Sequence, residues 1–255
     1  MLSFKGLYLK DLKISRGNFL IGMILLFFVT VASYGLKEYM GEPSIPVIFL
    51  FIALVLHVFY LPGILFTSLQ VEGQSQLWLH NPNGGAKLFL SKLAAATTYF
   101  AVSLFAILLL LKLVISGMAI SSGLEEFAEI IEGNLLIFIG AVAVTAFYFG
   151  VWLLFYWSLY HSLKGIPFLS RIRWLVLLVV WIVINMISNF FAELKVFEVL
   201  NEKGSIQVNF SSPYFNNNFT EEIGHVNLFS IGLQILIIIS VFLVSVWLLE
   251  RKVEV

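Results

Sequence analysis

The chain has 255 residues, 60% of them hydrophobic and only 12% charged, with a mean hydropathy of +0.98. That balance excludes a disordered chain or an ordinary soluble domain and indicates an integral membrane protein. No cysteine occurs, which excludes a disulfide, a thiolate nucleophile or a Cys-based metal site.

Residues 1–17 mix Leu2, Phe4, Leu7, Tyr8, Leu9, Leu12 and Ile14 with Lys5, Lys10, Asp11, Lys13 and Arg16. Phe4, Leu7, Tyr8, Leu12 and Ile14 roughly share a helical face, so the segment is expected to lie as an amphipathic helix in the inner headgroup layer, with Lys5, Lys10, Lys13 and Arg16 toward anionic lipid. The first apolar run, 18–36, has no small-residue cleavage pattern and reads as an uncleaved span. A helix needs roughly 20 apolar residues to cross about 30 Å of hydrocarbon. Five further runs meet that length: 46–69, 93–115, 135–158, 174–191 and 228–249. In hydrocarbon every backbone N–H and C=O must be paired internally, so runs this long form helices, and the expectation is an all-α polytopic fold with six transmembrane helices in one membrane domain.

The second span carries His57 at mid-depth. An intramembrane ionisable group is a functional candidate, although a hydrogen bond to a neighbouring helix explains it as well. The loop 70–92 follows, with Glu72, Gln76, Leu77, Trp78, Leu79, His80, Asn81 and Pro82 before Asn83-Gly84-Gly85. It opens as a helix and breaks where proline and two glycines force a turn. Leu77, Trp78 and Leu79 form an apolar knob on a polar loop, which suits either a docking contact or interfacial anchoring of Trp78.

After the third span, 117–134 carries Glu125, Glu126, Glu129 and Glu132 between apolar residues and reads as an acidic amphipathic helix. Its Glu125-Glu126 pair is similar to that of intramembrane CAAX-type proteases, but Ile130 stands where those need arginine. The short basic loop 159–173 holds His161, Lys164, Pro167, Arg171 and Arg173. The fifth span carries Asn185 and Asn189 one turn apart, and the sixth carries Gln234; bonds to neighbouring helices are the expected role of all three. Between these spans, 193–227 is the longest polar segment, with a strand-like alternation from Ser205 to Phe210.

The charges fix the orientation. With the N-terminus inside, Lys5, Lys10, Lys13, Arg16, Lys87, Lys92, Lys164, Arg171, Arg173, Arg251 and Lys252 face the cytoplasm, leaving Lys37, Lys112, Lys195 and Lys203 outside. This 11-to-4 bias is the positive-inside signature, and with six spans it places both termini in the cytoplasm. The net charge of zero averages two oppositely charged faces and says nothing about partners. No span holds a mid-depth acid of the kind ion-coupled transporters use, and the chain has no Gly-x-x-x-x-Gly-Lys-Ser/Thr phosphate loop.

This order of features resembles the membrane subunits of ABC type-2 exporters, and in size the small permeases of Gram-positive bacteria. The likeness rests on a basic elbow helix, six spans with both ends inside, and the stretch Glu72…Leu77-Trp78-Leu79-His80-Asn81-Pro82…Lys87…Ser91-Lys92. It implies that 72–80 is a coupling helix seated in a groove of an ATP-binding subunit, with 193–227 as an external lid. It implies two ATPase subunits that bind ATP and Mg, a second permease subunit (identical or not), the lipid bilayer as surroundings and no nucleic acid. No catalytic residue, cofactor or metal is expected in the chain itself. The implied cargo is amphipathic or hydrophobic, such as a peptide toxin or antimicrobial compound, exported across a bacterial cell membrane. A non-transporting sensor or assembly subunit, or a membrane-embedded enzyme, are the alternatives.

Overall fold

The computed structural model describes residues 4–75, 83–117, 135–166, 168–192, 205–207 and 225–251. The chain is an all-α polytopic membrane protein: among the described residues, six helical segments are long and apolar enough to cross a bilayer. It divides into two compact units, Met1–Leu153 and Leu154–Val255.

In the first unit, α1 runs without interruption over Phe4–Met40. At about 1.5 Å per residue its 37 residues extend roughly 55 Å, far more than the hydrocarbon thickness. The expected turn between an elbow helix and the first span is therefore absent: no proline interrupts the segment, and Gly17 does not leave helical geometry. The buried stripe also differs from the apolar face anticipated above. Leu7, Asp11 and Ser15 face inward, spaced by four residues, while Phe4 is exposed. The helix ends where Gly41 adopts φ +69°, with its N–H on the Lys37 carbonyl at 2.9 Å. That is a left-handed cap, which glycine enters without a Cβ clash.

The second span is two helices, α2 (Ile45–Leu56) and α3 (Tyr60–Ser75), joined by a 3-10 turn at His57–Phe59. Pro62 accounts for the break. It has no N–H for the Val58 carbonyl, and its ring crowds that carbonyl, so the preceding turn tightens. Leu61-Pro62-Gly63 was the sequence signal for this interruption.

Helix α4 spans Gly85–Gly117 and packs against α1, α2 and α3. Buried Leu50, Leu54, Leu61, Leu65, Ile107 and Leu111 form the centre of this core. In lipid, helices associate through close van der Waals fit rather than water exclusion, so small residues matter at the contacts. A Cβ on Gly22 would lie 2.6 Å from the Tyr60 ring, and one on Gly150 would lie 2.5 Å from a Leu61 methyl. Gly150 belongs to α5 (Leu135–Ser162), which begins in the first unit and ends in the second.

The second unit continues through two 3-10 turns, Leu163–Gly165 and Leu169–Arg171, into α6 (Arg173–Ala192). Strands β1 (Ser205–Gln207) and β2 (His225–Asn227) pair antiparallel, with Ile206 opposite Val226, and α7 (Leu228–Arg251) follows directly. The alternation expected from Ser205 thus yields a three-residue strand among the described residues. The acidic segment 118–134 and most of 193–227 lie outside the described residues.

Candidate functional site: a buried charge cluster joining three helices

Four charged side chains converge where α1, α3 and α4 meet. From α1 come Lys10 and Asp11; from α3 come Ser68 and Glu72, one helical turn apart and so on one face; from α4 come Ser91 and Lys92. The Lys92 ammonium is the hub. It donates to Asp11 Oδ1 at 2.9 Å and Ser68 Oγ at 3.1 Å, and pairs with Glu72 Oε2 at 2.6 Å. Those three partners use all three of its N–H donors. The Ser91 hydroxyl donates to the second Asp11 oxygen at 2.6 Å, and Lys10 closes the cluster on Glu72 Oε1.

The burial is near complete. Asp11 is 1% exposed, Glu72 3% and Lys92 4%. Charges removed from water cost several kcal/mol each unless paired and hydrogen-bonded. Here two cations meet two anions, for a sum of zero, and both carboxylates are engaged at both oxygens. Lys10 alone keeps a partly exposed side chain.

Further polar bonds stitch the inner half of α1 to its neighbours. Tyr8 Oη and Thr98 Oγ1 are 2.9 Å apart, Tyr99 Oη donates to the Leu12 carbonyl at 2.8 Å, and the Asn18 amide donates to Thr67. Phe19 stacks on Tyr99 with ring centroids 4.6 Å apart. These bonds explain why residues 4–17 continue the span instead of lying apart from it. Lys5, Lys13 and Arg16 remain on the exposed side of α1, whereas Lys10, grouped above with the lipid-facing cations, pairs with Glu72.

The family resemblance places Glu72 in a docking stretch. Its carboxylate is turned onto Lys10 and Lys92. Gln76, Leu77, Trp78, Leu79, His80, Asn81 and Pro82 lie outside the described residues. The sequence names Asp11 and the Ser91-Lys92 pair without signalling that they meet, and nothing in it singles out Ser68. Asp11, the lone acid in the basic N-terminal segment, was the available signal.

The intramembrane polar residues divide. His57 is buried: its Nε2 is 3.0 Å from Ser103 Oγ on α4, and its ring stacks on Tyr60 at 4.8 Å. The expected bond to a neighbouring helix is present there. Asn185 instead donates to the Trp181 carbonyl of its own helix at 2.7 Å, and Asn185, Asn189 and Gln234 are all exposed on the protein surface.

Fold and cluster together define a multi-pass membrane protein whose first, second and third spans are tied by ion pairs. The chain is 29% identical over 263 residues to the Bacillus subtilis (strain 168) protein printed as "Uncharacterized protein YhcE", with 100% of both chains covered. No protein-family model matches the chain, and no solved structure matches it.

Proposed function

We propose that this protein is the membrane-spanning subunit of an ATP-driven ABC type-2 exporter in a bacterial cell membrane. Its cargo is an amphipathic or hydrophobic compound of the peptide-toxin or antimicrobial kind. Two such subunits pair around the pathway, and two separate ATPase subunits bind ATP and Mg. The sequence offers no phosphate-binding loop, in keeping with ATP being bound and hydrolysed by the separate subunits.

The observation that carries this reading is the charge cluster at the end of α3, with Glu72 four residues ahead of 76–82 in the sequence. Glu72 stands in the last turn of α3, just before that stretch, and is bonded to α1 and α4. A push delivered to the loop by a partner therefore acts on three spans at once. The apolar knob Leu77-Trp78-Leu79 is the element that receives the push, and the positive-inside bias places it on the cytoplasmic side, where ATP is available.

The test is co-purification from the native host. Replacing Leu77, Trp78 and Leu79 with Asp is expected to abolish recovery of the ATPase while leaving membrane insertion intact. An ATPase that still binds with unchanged turnover would overturn the assignment, and absence of any ATPase from the wild-type preparation would favour a sensor or assembly subunit.

A further inference from the structure

The inner loop of the second unit has no such set of partners. From residue 133 to residue 192 the chain contains no Asp or Glu, yet it holds Lys164, Arg171 and Arg173 within ten residues of one another. Among the described residues none of the three meets a carboxylate, whereas Lys10 and Lys92 of the first unit are both paired.

The Arg173 head is nevertheless held in place. Its Nε donates to the Ser170 carbonyl at 2.9 Å, and its guanidinium carbon sits 4.6 Å from the Tyr160 ring centre. Tyr160 is in turn 5.2 Å from the Trp174 ring. One N–H and one face of the guanidinium are thus engaged, leaving its other N–H groups for an anion. Around it the surface is apolar: Phe168 is 78% exposed and Trp174 75%, with Ile166 also exposed.

Cations set among exposed aromatic and aliphatic side chains at the end of a span match the headgroup layer, where phosphate meets hydrocarbon. The loop's length points the same way. Only ten residues, 163–172, separate α5 from α6, and among the described ones Leu163–Gly165 and Leu169–Arg171 form 3-10 turns. The headgroup layer is roughly 5–7 Å deep on each side of the hydrocarbon. A connection of only ten residues stays within or near that layer.

We propose that Lys164, Arg171 and Arg173, with Tyr160 and Trp174, form a binding site for the phosphate of an anionic phospholipid in the inner leaflet. The site selects lipid by charge, and its aromatic wall takes the first part of the acyl chains.

The experiment reads Trp174. Purified full-length protein is reconstituted at equal mole fractions of brominated phosphatidylglycerol or brominated phosphatidylcholine, and the Trp174 component of quenching is taken as the difference from W174F. Association is expected to be at least about fivefold stronger for the anionic lipid, the effect of one well-placed cation at an anionic surface. The triple variant K164Q/R171Q/R173Q is expected to lose this preference. The variant K5Q/K13Q/R16Q removes as many charges elsewhere on the inner face and is expected to keep it. Equal quenching by the two lipids in the wild-type protein overturns the proposal, and that comparison needs no substitution in the basic loop. Equal loss in both triple variants also overturns it, because the preference then comes from smeared charge. Loss of the preference on adding inorganic phosphate, at ionic strength matched with chloride, assigns the site to free phosphate. Unchanged preference with lost ATPase co-purification in K164Q/R171Q/R173Q makes the loop a protein contact and equally refutes the proposal.

Discussion

Removing the Lys92 ammonium is the sharpest test of the charge cluster. In K92M the side chain keeps its length but Asp11, Glu72 and Ser68 each lose a partner. The buried sum changes from zero to one uncompensated negative charge, since Lys10 alone remains against two carboxylates. Breaking a buried ion pair by deleting one member costs about 3–5 kcal/mol, because the partner stays desolvated and unpaired. Lys92 faces two carboxylates, so the upper half of that range is expected. Lys10, partly exposed, offsets the loss at Glu72 more readily than anything near Asp11 can. The double variant D11N/K92M restores a sum of zero by leaving only the Lys10–Glu72 pair, and it is expected to recover most of the loss. The assay is reversible unfolding in mixed micelles with increasing SDS, run as a double-mutant cycle on Asp11 and Lys92. If K92M unfolds within about 1 kcal/mol of the wild type, or if D11N adds its own cost instead of relieving that of K92M, the cluster is not the fastening described here.

Two more outcomes follow from the packing and a third from the charge bias. Gly150→Leu forces side-chain atoms into the space held by Leu61 and Leu65 and is expected to cost about 1–3 kcal/mol, whereas Gly140→Ala, with nothing within 4 Å of its Cβ, is expected to be neutral in the same unfolding assay. A cycle on His57→Phe and Ser103→Ala is expected to give a coupling of about 0.6–1.7 kcal/mol, the range for interhelical hydrogen bonds in membranes, and a coupling near zero would mean that the 3.0 Å contact is not energetically formed. Because the chain has no cysteine, single substitutions report orientation directly. Glu42→Cys and Ser205→Cys are expected to react with a membrane-impermeant maleimide in intact cells, while Lys87→Cys and Lys164→Cys react only after lysis; the reverse pattern would invert the topology.

The spans were legible because length and hydropathy are local properties that the bilayer converts into helices. The failures have a common physical source. Whether residues 4–17 turn into the headgroups or continue α1 depends on partners far along the chain, such as Ser91, Lys92 and Thr98 on α4. A face chosen from apolar residues alone passes over Asp11, which is buried because a lysine 81 positions away neutralises it. His57 was legible as an intramembrane polar residue, but its Ser103 partner lies 46 positions further on. The 3-10 turn before Pro62 was within reach of local reasoning, since proline's missing N–H acts on the preceding turn. Glu72 was picked out for its place in a polar loop, while its role in the fold is set by two lysines on other helices.

The uninterrupted course of α1 has a mechanical consequence. From Asp11, where the helix is fastened, to Met40, where it ends, lie 29 residues, or roughly 44 Å of stiff rod. A tilt of only about 10° about that fulcrum displaces the Gly41 end sideways by roughly 8 Å, about the spacing between two packed helices. Such a tilt would have to move Gly22 against Tyr60 and Leu26 within the shared core, so a displacement of the outer end would carry the packed helices with it.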